Sequence, residues 1–354
     1  MDPGIHLFEP PKAQRAGGLE VAVSSLASWL AAQSIAVTRH EGSELPASIG
    51  ANAVVHFHGV WQPAFLRAAA ACRSRGVPYV VSPHGMLEPW AWDQRRLKKR
   101  IWFGLFERAH LRRAAALLAT SALEVYNLAR QFPDRPCRAI PLGVQATRKP
   151  NYEQARRALG WDPSERVLLF LSRIHPKKGL DLLLEALRAL PNAKGAAHRV
   201  RLVVVGDGEP GHVEPLREFA RRHAEALPRV DWVGGLWTDA KWAYLEAADL
   251  LCLPSHSENF GYAILEALQV GTRVLTTTRT PWTDLEAWGA GYLVEPDAES
   301  VRGALARFLT EPAWGHAQRE SLAARIDAAY SWRAVGPAYL DLYRSVASAH
   351  GRAG

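Results

Sequence analysis

The chain has 354 residues, a length that accommodates two domains of about 100–200 residues each. Hydrophobic residues make up 48%, and Gly and Pro follow no repeat period, which excludes collagen-like and disordered classes. The net charge of +8 is compatible with nucleic acid, an anionic membrane surface or phosphorylated substrates and does not select among them.

In chain order, M-D-P-G-I-H-L-F lacks a basic segment followed by an apolar one, so no secretory signal is expected. The stretch is short and Pro-rich, which predicts a truncated or irregular first strand. A helix is predicted over Gly18–Gln33. Short β-branched or leucine-rich strands are predicted at Ala53–Phe57, Pro78–Ser82, Ala116–Thr120, Val167–Leu171, Arg201–Val205, Val230–Val233, Leu250–Pro254 and Arg273–Thr276. Helices are predicted between them, at Asp181–Leu190, Pro215–Ala226 and Phe260–Leu268. This alternation predicts an α/β protein with parallel sheets, whose ligands bind beyond the carboxyl ends of the strands. The turn-rich P-L-G-V-Q-A-T-R-K-P places a boundary between residues 1–145 and 146–331. Residues 332–354 form a predicted helix able to pack back on the first domain. No apolar run approaches the roughly 20 residues of a spanning helix. Cys72, Cys137 and Cys252 are odd in number and far apart, which disfavours a disulfide framework and predicts a reducing, cytoplasmic setting.

Six stretches carry residues suited to chemistry. Gly17 and Gly18 open the first helix, where a glycine pair lets a phosphate approach backbone N–H groups; an ordinary helix-opening turn reads the same way. His56, His58 and His84 sit at strand ends, with His84 between Pro and Gly the better placed for a polar role. Trp90–Arg113 repeats Leu97, Ile101, Leu105 and Ala109 every four residues. It sets Arg95, Arg96, Lys98, Lys99 and Arg100 beside Trp102, a pattern that suits either an anionic membrane surface or a solvated basic face. Arg173 and Lys178 follow a strand directly, where cations suit a diphosphate leaving group or simply a basic loop. Gly206–Gly211 matches the dinucleotide pattern G-x-G-x-x-G, but Pro210 falls where the phosphate-binding helix should begin. Glu258 and Glu266 bracket a predicted helix start after a strand, with Glu266 nearly two turns in; capping and surface roles are the bland alternatives. No D-x-D appears, so no metal-held diphosphate is indicated, and no nucleic-acid reader motif is present.

Together, A-G-G-L-E, S-R-I-H-P-K-K-G-L-D, V-V-V-G-D-G and A-D-L-L-C-L-P-S-H-S-E-N-F-G-Y-A-I-L-E-A-L resemble the retaining glycosyltransferases of family 4, in order and spacing from residue 16 onward. The resemblance implies the GT-B fold, two facing Rossmann-like domains with a central cleft, the first binding acceptor and the second nucleotide sugar. It implies a metal-independent enzyme without a cofactor, using a UDP- or GDP-sugar as co-substrate. Glu258 and His84 would act at the reacting sugar, and Arg173 and Lys178 would hold the diphosphate. Asn259, Phe260 and Gly261 would offer backbone groups, Glu266 would bind the ribose, and Gly17–Gly18 would admit the diphosphate. T-R-T-P-W-T-D-L-E-A-W-G-A-G-Y-L-V resembles members of surface-polysaccharide assembly, which implies a saccharide or lipid-linked acceptor at the inner face of the plasma membrane. P-L-G-V departs from the usual P-N-G-V. A sugar-nucleotide epimerase of the same build, a dinucleotide-dependent oxidoreductase and a non-catalytic membrane module are the alternatives.

Overall fold

The computed structural model describes residues 2–11, 17–42, 44–47, 49–50, 52–93, 96–144, 148–190, 199–236 and 238–351. The chain divides into two compact units, Met1–Gln145 with Ala329–Gly354, and Ala146–Ala328.

The first unit holds six parallel strands, β1 (Gly4–Glu9), β2 (Val37–Glu41), β3 (Ala53–His58), β4 (Tyr79–Ser82), β5 (Ala116–Ala119) and β6 (Cys137–Ala139), in the order β2-β1-β3-β4-β5-β6. β1 is a regular inner strand, pairing Ile5 with Val37 and with Val54, which corrects the expectation of an irregular start. Its prolines, Pro3 and Pro10, lie outside the strand and remove no ladder hydrogen bond.

A parallel sheet must be covered on both faces. On one face Ile5, Leu7, Val54 and Val80 pack against Leu19, Val23 and Leu26 of the Gly17–Ala32 helix and against Trp332, Tyr339 and Tyr343. On the other, Phe8, Val55, Phe57 and Val81 pack against Phe65, Cys72, Leu128 and Phe132. The Trp332–Gly351 helix is locked in place by close contact. A Cβ on Gly336 would lie 2.2 Å from the Trp29 ring, and Trp332 Nε1 donates to Ser25 Oγ at 3.1 Å.

The second unit holds β7 (Glu165–Leu171), β8 (Arg199–Val205), β9 (Arg229–Gly234), β10 (Leu250–Leu253), β11 (Arg273–Thr277) and β12 (Gly291–Val294), all parallel, in the order β12-β11-β10-β7-β8-β9. This is the doubly wound order of dinucleotide-binding folds. Its amino-terminal edge is held by a buried cluster. Asp249 takes Arg156, the Val167 N–H at 2.8 Å and Tyr152 Oη at 2.8 Å, with Arg319 at 3.6 Å.

Among the described residues no helix is long and apolar enough to cross a membrane.

Candidate active site

In the second unit the chain runs outward from β7 to β8 and β9, then returns to β10 and runs the other way. β7 and β10 are therefore the switch point, and the loops after them flank the crevice where such sheets bind ligands. Those loops are Ser172–Gly179 and Pro254–Gly261. They carry Arg173, Lys178, Glu258, Asn259, Phe260 and Gly261, so the topology gathers residues such as Lys178 and Glu258, 80 positions apart.

Glycines let these backbones meet. Gly179 has φ of +69°, and a Cβ on it would lie 2.1 Å from the Pro254 carbonyl oxygen. The His256 N–H donates to the Lys177 carbonyl at 2.8 Å, a second bond between the two loops. Gly206 and Gly208 do the same on the other flank, where a Cβ would meet the Ser172 and Ile174 carbonyls at 1.8 and 2.0 Å. The dinucleotide-like glycines thus serve the seating of the Arg173 loop. Pro210, expected to disturb the start of the next helix, instead begins it: the helix is Pro210–Arg222, and proline suits its first turn because that N–H has no partner within the helix.

Glu258 and Glu266 are buried, at 8% and 5% exposure, which rules out surface roles for either. Glu258 Oε1 accepts from Lys178 Nζ at 2.5 Å and from Ser255 Oγ at 2.8 Å. Burial pushes its carboxyl up, but the ammonium groups of Lys178 and Lys177 outweigh it and hold Glu258 below the usual carboxylate range. Ser255 is itself fixed, its carbonyl accepting from Thr277 Oγ1 at 2.5 Å. The helix begins at Tyr262, with Gly261 as its cap at φ of +82°. Glu266 is therefore its fifth residue, about one turn in, not nearly two. Burial raises the Glu266 carboxyl, opposed by Lys241, whose Nζ donates to Oε1 at 2.6 Å. Phe260 is anchored through its carbonyl to Trp282 Nε1 at 2.5 Å. Arg173 is exposed.

The arrangement presents a helix start, with N–H groups that have no intrahelical partner, just after the Lys178–Glu258 pair, and Arg173 stands exposed on the Lys178 loop. Such a site suits a dianionic group, with a fixed carboxylate on each side to accept from hydroxyls. Among the described residues no group of three or more His, Cys, Asp or Glu side chains could hold a metal ion.

In the first unit, His84 follows β4 in the left-handed region at φ of +51°, which a side chain adopts only under constraint. The constraint is Glu124, which accepts from the Gly85 N–H at 2.7 Å and the Thr120 N–H at 2.8 Å. His58 Nδ1 lies 3.0 Å from His84 Nε2. Its neighbour His56 bridges Tyr343 Oη at 2.8 Å and Ser82 Oγ at 2.7 Å as a buried structural group. Gly17 and Gly18 are the first described residues of their helix, and a Cβ on Gly18 would meet nothing within 4 Å.

The stretch Trp90–Arg113 is helical through most of its described residues: Pro89–Asp93, then Arg96–Trp102 running on through a π-helical turn at Phe103–Glu107 into Arg108–Arg112. Glu107 fixes the π turn from within, its buried Oε2 accepting from Trp102 Nε1 at 2.9 Å and the Trp61 N–H at 3.1 Å. The four-residue repeat faces outward: Leu97 is 73%, Ile101 55% and Leu105 65% exposed. Arg96, Lys98 and Arg100 are exposed beside them, while Lys99 donates to the Ala91 carbonyl; Arg95 lies outside the described residues.

Lys241, Ser255 and Glu124 are not marked as site residues by the sequence. Ser255 had a visible signal, standing three residues before Glu258 at a strand's end. Lys241 had none, because its partner lies 25 residues away on another helix.

Residues 151–332 match the family described as "Glycosyl transferases group 1", and residues 51–143 match "Glycosyl transferase 4-like domain". The chain belongs to the group 1 glycosyl transferases. It is 28% identical to D-inositol 3-phosphate glycosyltransferase of Frankia alni over 348 residues, 93% of this chain and 82% of that one. Its counterpart from Segniliparus rotundus is 37% identical over 167 residues, 45% of this chain and 36% of that protein, so the chain spans little more than a third of that relative. Sucrose-phosphate synthase from Thermosynechococcus elongatus superposes with a TM-score of 0.78 at 20% identity, covering 98% of this chain and all of that one. Anabaena HepE in complex with UDP superposes with a TM-score of 0.74 at 19% identity, covering 97% and 100%. These likenesses establish the GT-B fold.

Proposed function

We propose that the chain is a retaining glycosyltransferase that moves a sugar from a nucleoside diphosphate sugar to a saccharide or lipid-linked acceptor. The observation that carries this reading is the Lys178–Glu258 pair at the β7/β10 switch point, beside the start of the Tyr262–Gln269 helix. Lys178, Arg173 and the helix N–H groups hold the diphosphate, whose charge grows as the bond to the sugar breaks. Glu258 and the backbone of Asn259–Gly261 hold the sugar, and Glu266 holds the ribose. The UDP complexes of the HepE structures support a nucleotide donor. In the step itself the sugar C1–phosphate oxygen bond breaks while the acceptor oxygen bonds C1 from the same face. The acceptor's proton passes to the departing phosphate oxygen, so no protein nucleophile and no metal is required. Glu258 acts by position and charge, and its depressed pKa suits a permanent carboxylate rather than an acid. The first unit binds the acceptor in this proposal, and His84 serves it there.

The acceptor is membrane-associated in this reading. Leu97, Ile101 and Leu105 stand exposed among Arg96, Lys98 and Arg100, which pairs apolar insertion with attraction to anionic lipid at the inner face of the plasma membrane. A screen of UDP-, GDP-, ADP- and TDP-sugars for acceptor-dependent release of nucleoside diphosphate tests the function. Turnover is expected with one donor and is to be lost in Lys178→Ala and Glu258→Ala; full activity in both variants would refute the assignment.

A further inference from the structure

Both carboxylates of the pair are held by a lysine through Oε1 alone. For Glu266 the holder is Lys241, the first residue of the Lys241–Ala247 helix, with Nζ 2.6 Å from Oε1. The two side chains are 19% and 7% exposed. Among the described residues nothing donates to Oε2 of Glu266. Arg148 also faces this corner, its guanidinium 4.2 Å from the Trp242 ring centroid and 4.0 Å from Glu246. Lys241 is therefore the cation in direct contact. An ammonium on one oxygen fixes the rotamer of a buried carboxylate and opposes the upward push of burial on its carboxyl. The other oxygen is left as a preoriented acceptor for a hydroxyl.

We propose that Lys241 is a positioning residue of the donor site, holding Glu266 by Oε1 so that Oε2 meets a ribose hydroxyl and the site selects ribonucleoside over deoxyribonucleoside diphosphates. This rests on the reading of Glu266 as the ribose-binding group. A nucleotide lacking the hydroxyl leaves a buried carboxylate oxygen without a donor, and hydrogen bonds to charged groups make that difference about 10–100-fold in affinity.

The test is calorimetric titration of the full chain with UDP and GDP and with their 2′-deoxy and 3′-deoxy forms. Wild type is compared with Lys241→Met, Lys241→Arg and Glu266→Gln. The wild type is expected to prefer the better-bound ribonucleotide by about 10–100-fold over at least one deoxy form. Lys241→Met is expected to lose most of that preference while binding the deoxy form as wild type does, which also shows that the variant is folded. Lys241→Arg is expected to restore the preference. Equal weakening of ribo and deoxy forms in Lys241→Met would overturn the proposal, since a purely structural or phosphate-contacting lysine behaves that way. So would an unchanged preference. If Glu266→Gln keeps the full preference, or if wild type shows none, the ribose reading of Glu266 falls and takes the proposal with it. If Glu266→Gln loses the preference and Lys241→Met keeps it, only the role of Lys241 falls.

Discussion

Gly179 lies so close to the Pro254 carbonyl that a Cβ there would stand 2.1 Å from its oxygen. With the His256–Lys177 backbone bond, that approach joins the loop of Lys178 to the loop of Glu258, where the two side chains stand 2.5 Å apart. Gly179→Ala is expected to destabilise by more than about 2 kcal/mol, combining a left-handed backbone with a backbone clash. Gly160→Ala is the control, with φ of +63° but nothing within 4 Å of its Cβ, and is expected to cost about 1–2 kcal/mol. Urea unfolding measures both. Only Gly179→Ala is expected to raise the donor KM as well.

The Lys178–Glu258 pair is nearly buried, with side chains 17% and 7% exposed. Lys178→Met leaves the carboxylate without its main cation and is expected to cost about 2–3 kcal/mol, less than the 3–5 of a fully buried pair. Glu258 is then expected to titrate at higher pH than in wild type, and donor binding to weaken as pH falls. Nucleotide affinity measured between pH 5 and 8 checks this.

Asp249 lies at the amino-terminal end of β10, at the opposite edge of the sheet from the site. Asp249→Ala would strand Arg156 and Arg319, whose side chains are 3% and 2% exposed, and is expected to cost about 3–5 kcal/mol. The nucleotide affinity of the fraction that remains folded is expected to be unchanged. A large fall in that affinity would show that the two edges are coupled.

Burial depresses His56 and His110 to about 3 in the folded chain, against about 6.5 unfolded. Between those values the unfolded chain binds protons that the folded chain does not, so their contribution is full above pH 6.5 and is lost on acidification. Each contributes a slope of up to about 1.4 kcal/mol per pH unit. Neither ring nitrogen of His110 has a hydrogen-bond partner among the described residues. His110→Leu is therefore expected to leave stability at pH 7 unchanged or raised and to remove one slope. Thermal melts from pH 4 to 8 measure it.

Neutralising Arg96, Lys98, Lys99 and Arg100 together is expected to weaken binding to phosphatidylserine vesicles by about 1 kcal/mol per residue. Replacing Leu97 and Ile101 by Ser is expected to weaken it independently of salt. Unchanged cosedimentation in both sets would remove the membrane face from the account.

Most inner strands were legible because they are continuous apolar runs such as V-L-L-F-L and A-V-V-H-F; the inner strand β1 was not, its short run lying between Pro3 and Pro10. Three edge strands were not legible either. β2 reads V-T-R-H-E with one buried residue, and β6 is the three-residue C-R-A; both are edge strands. In β12, G-Y-L-V, Gly291 packs flat against β11, so its signal is a missing side chain. At the candidate site, Arg173, Lys178, Glu258 and Glu266 stood out by their place after strands and at a helix start. What holds them did not. Lys241, Ser255 and the Gly179–Pro254 contact depend on which loops the topology brings together. The four-residue repeat from Leu97 to Ala109 was readable as amphipathic, but periodicity does not say which face is buried.

The β7/β10 switch point is expected to bind a nucleoside diphosphate through Lys178 and the helix start at Tyr262. The most direct test is calorimetric titration of wild type and Lys178→Ala with UDP and GDP. Saturable binding of one of them, weakened at least about tenfold in Lys178→Ala by loss of a charge-assisted contact, is the predicted result. Binding of neither nucleotide, or equal affinity in the variant, would contradict it.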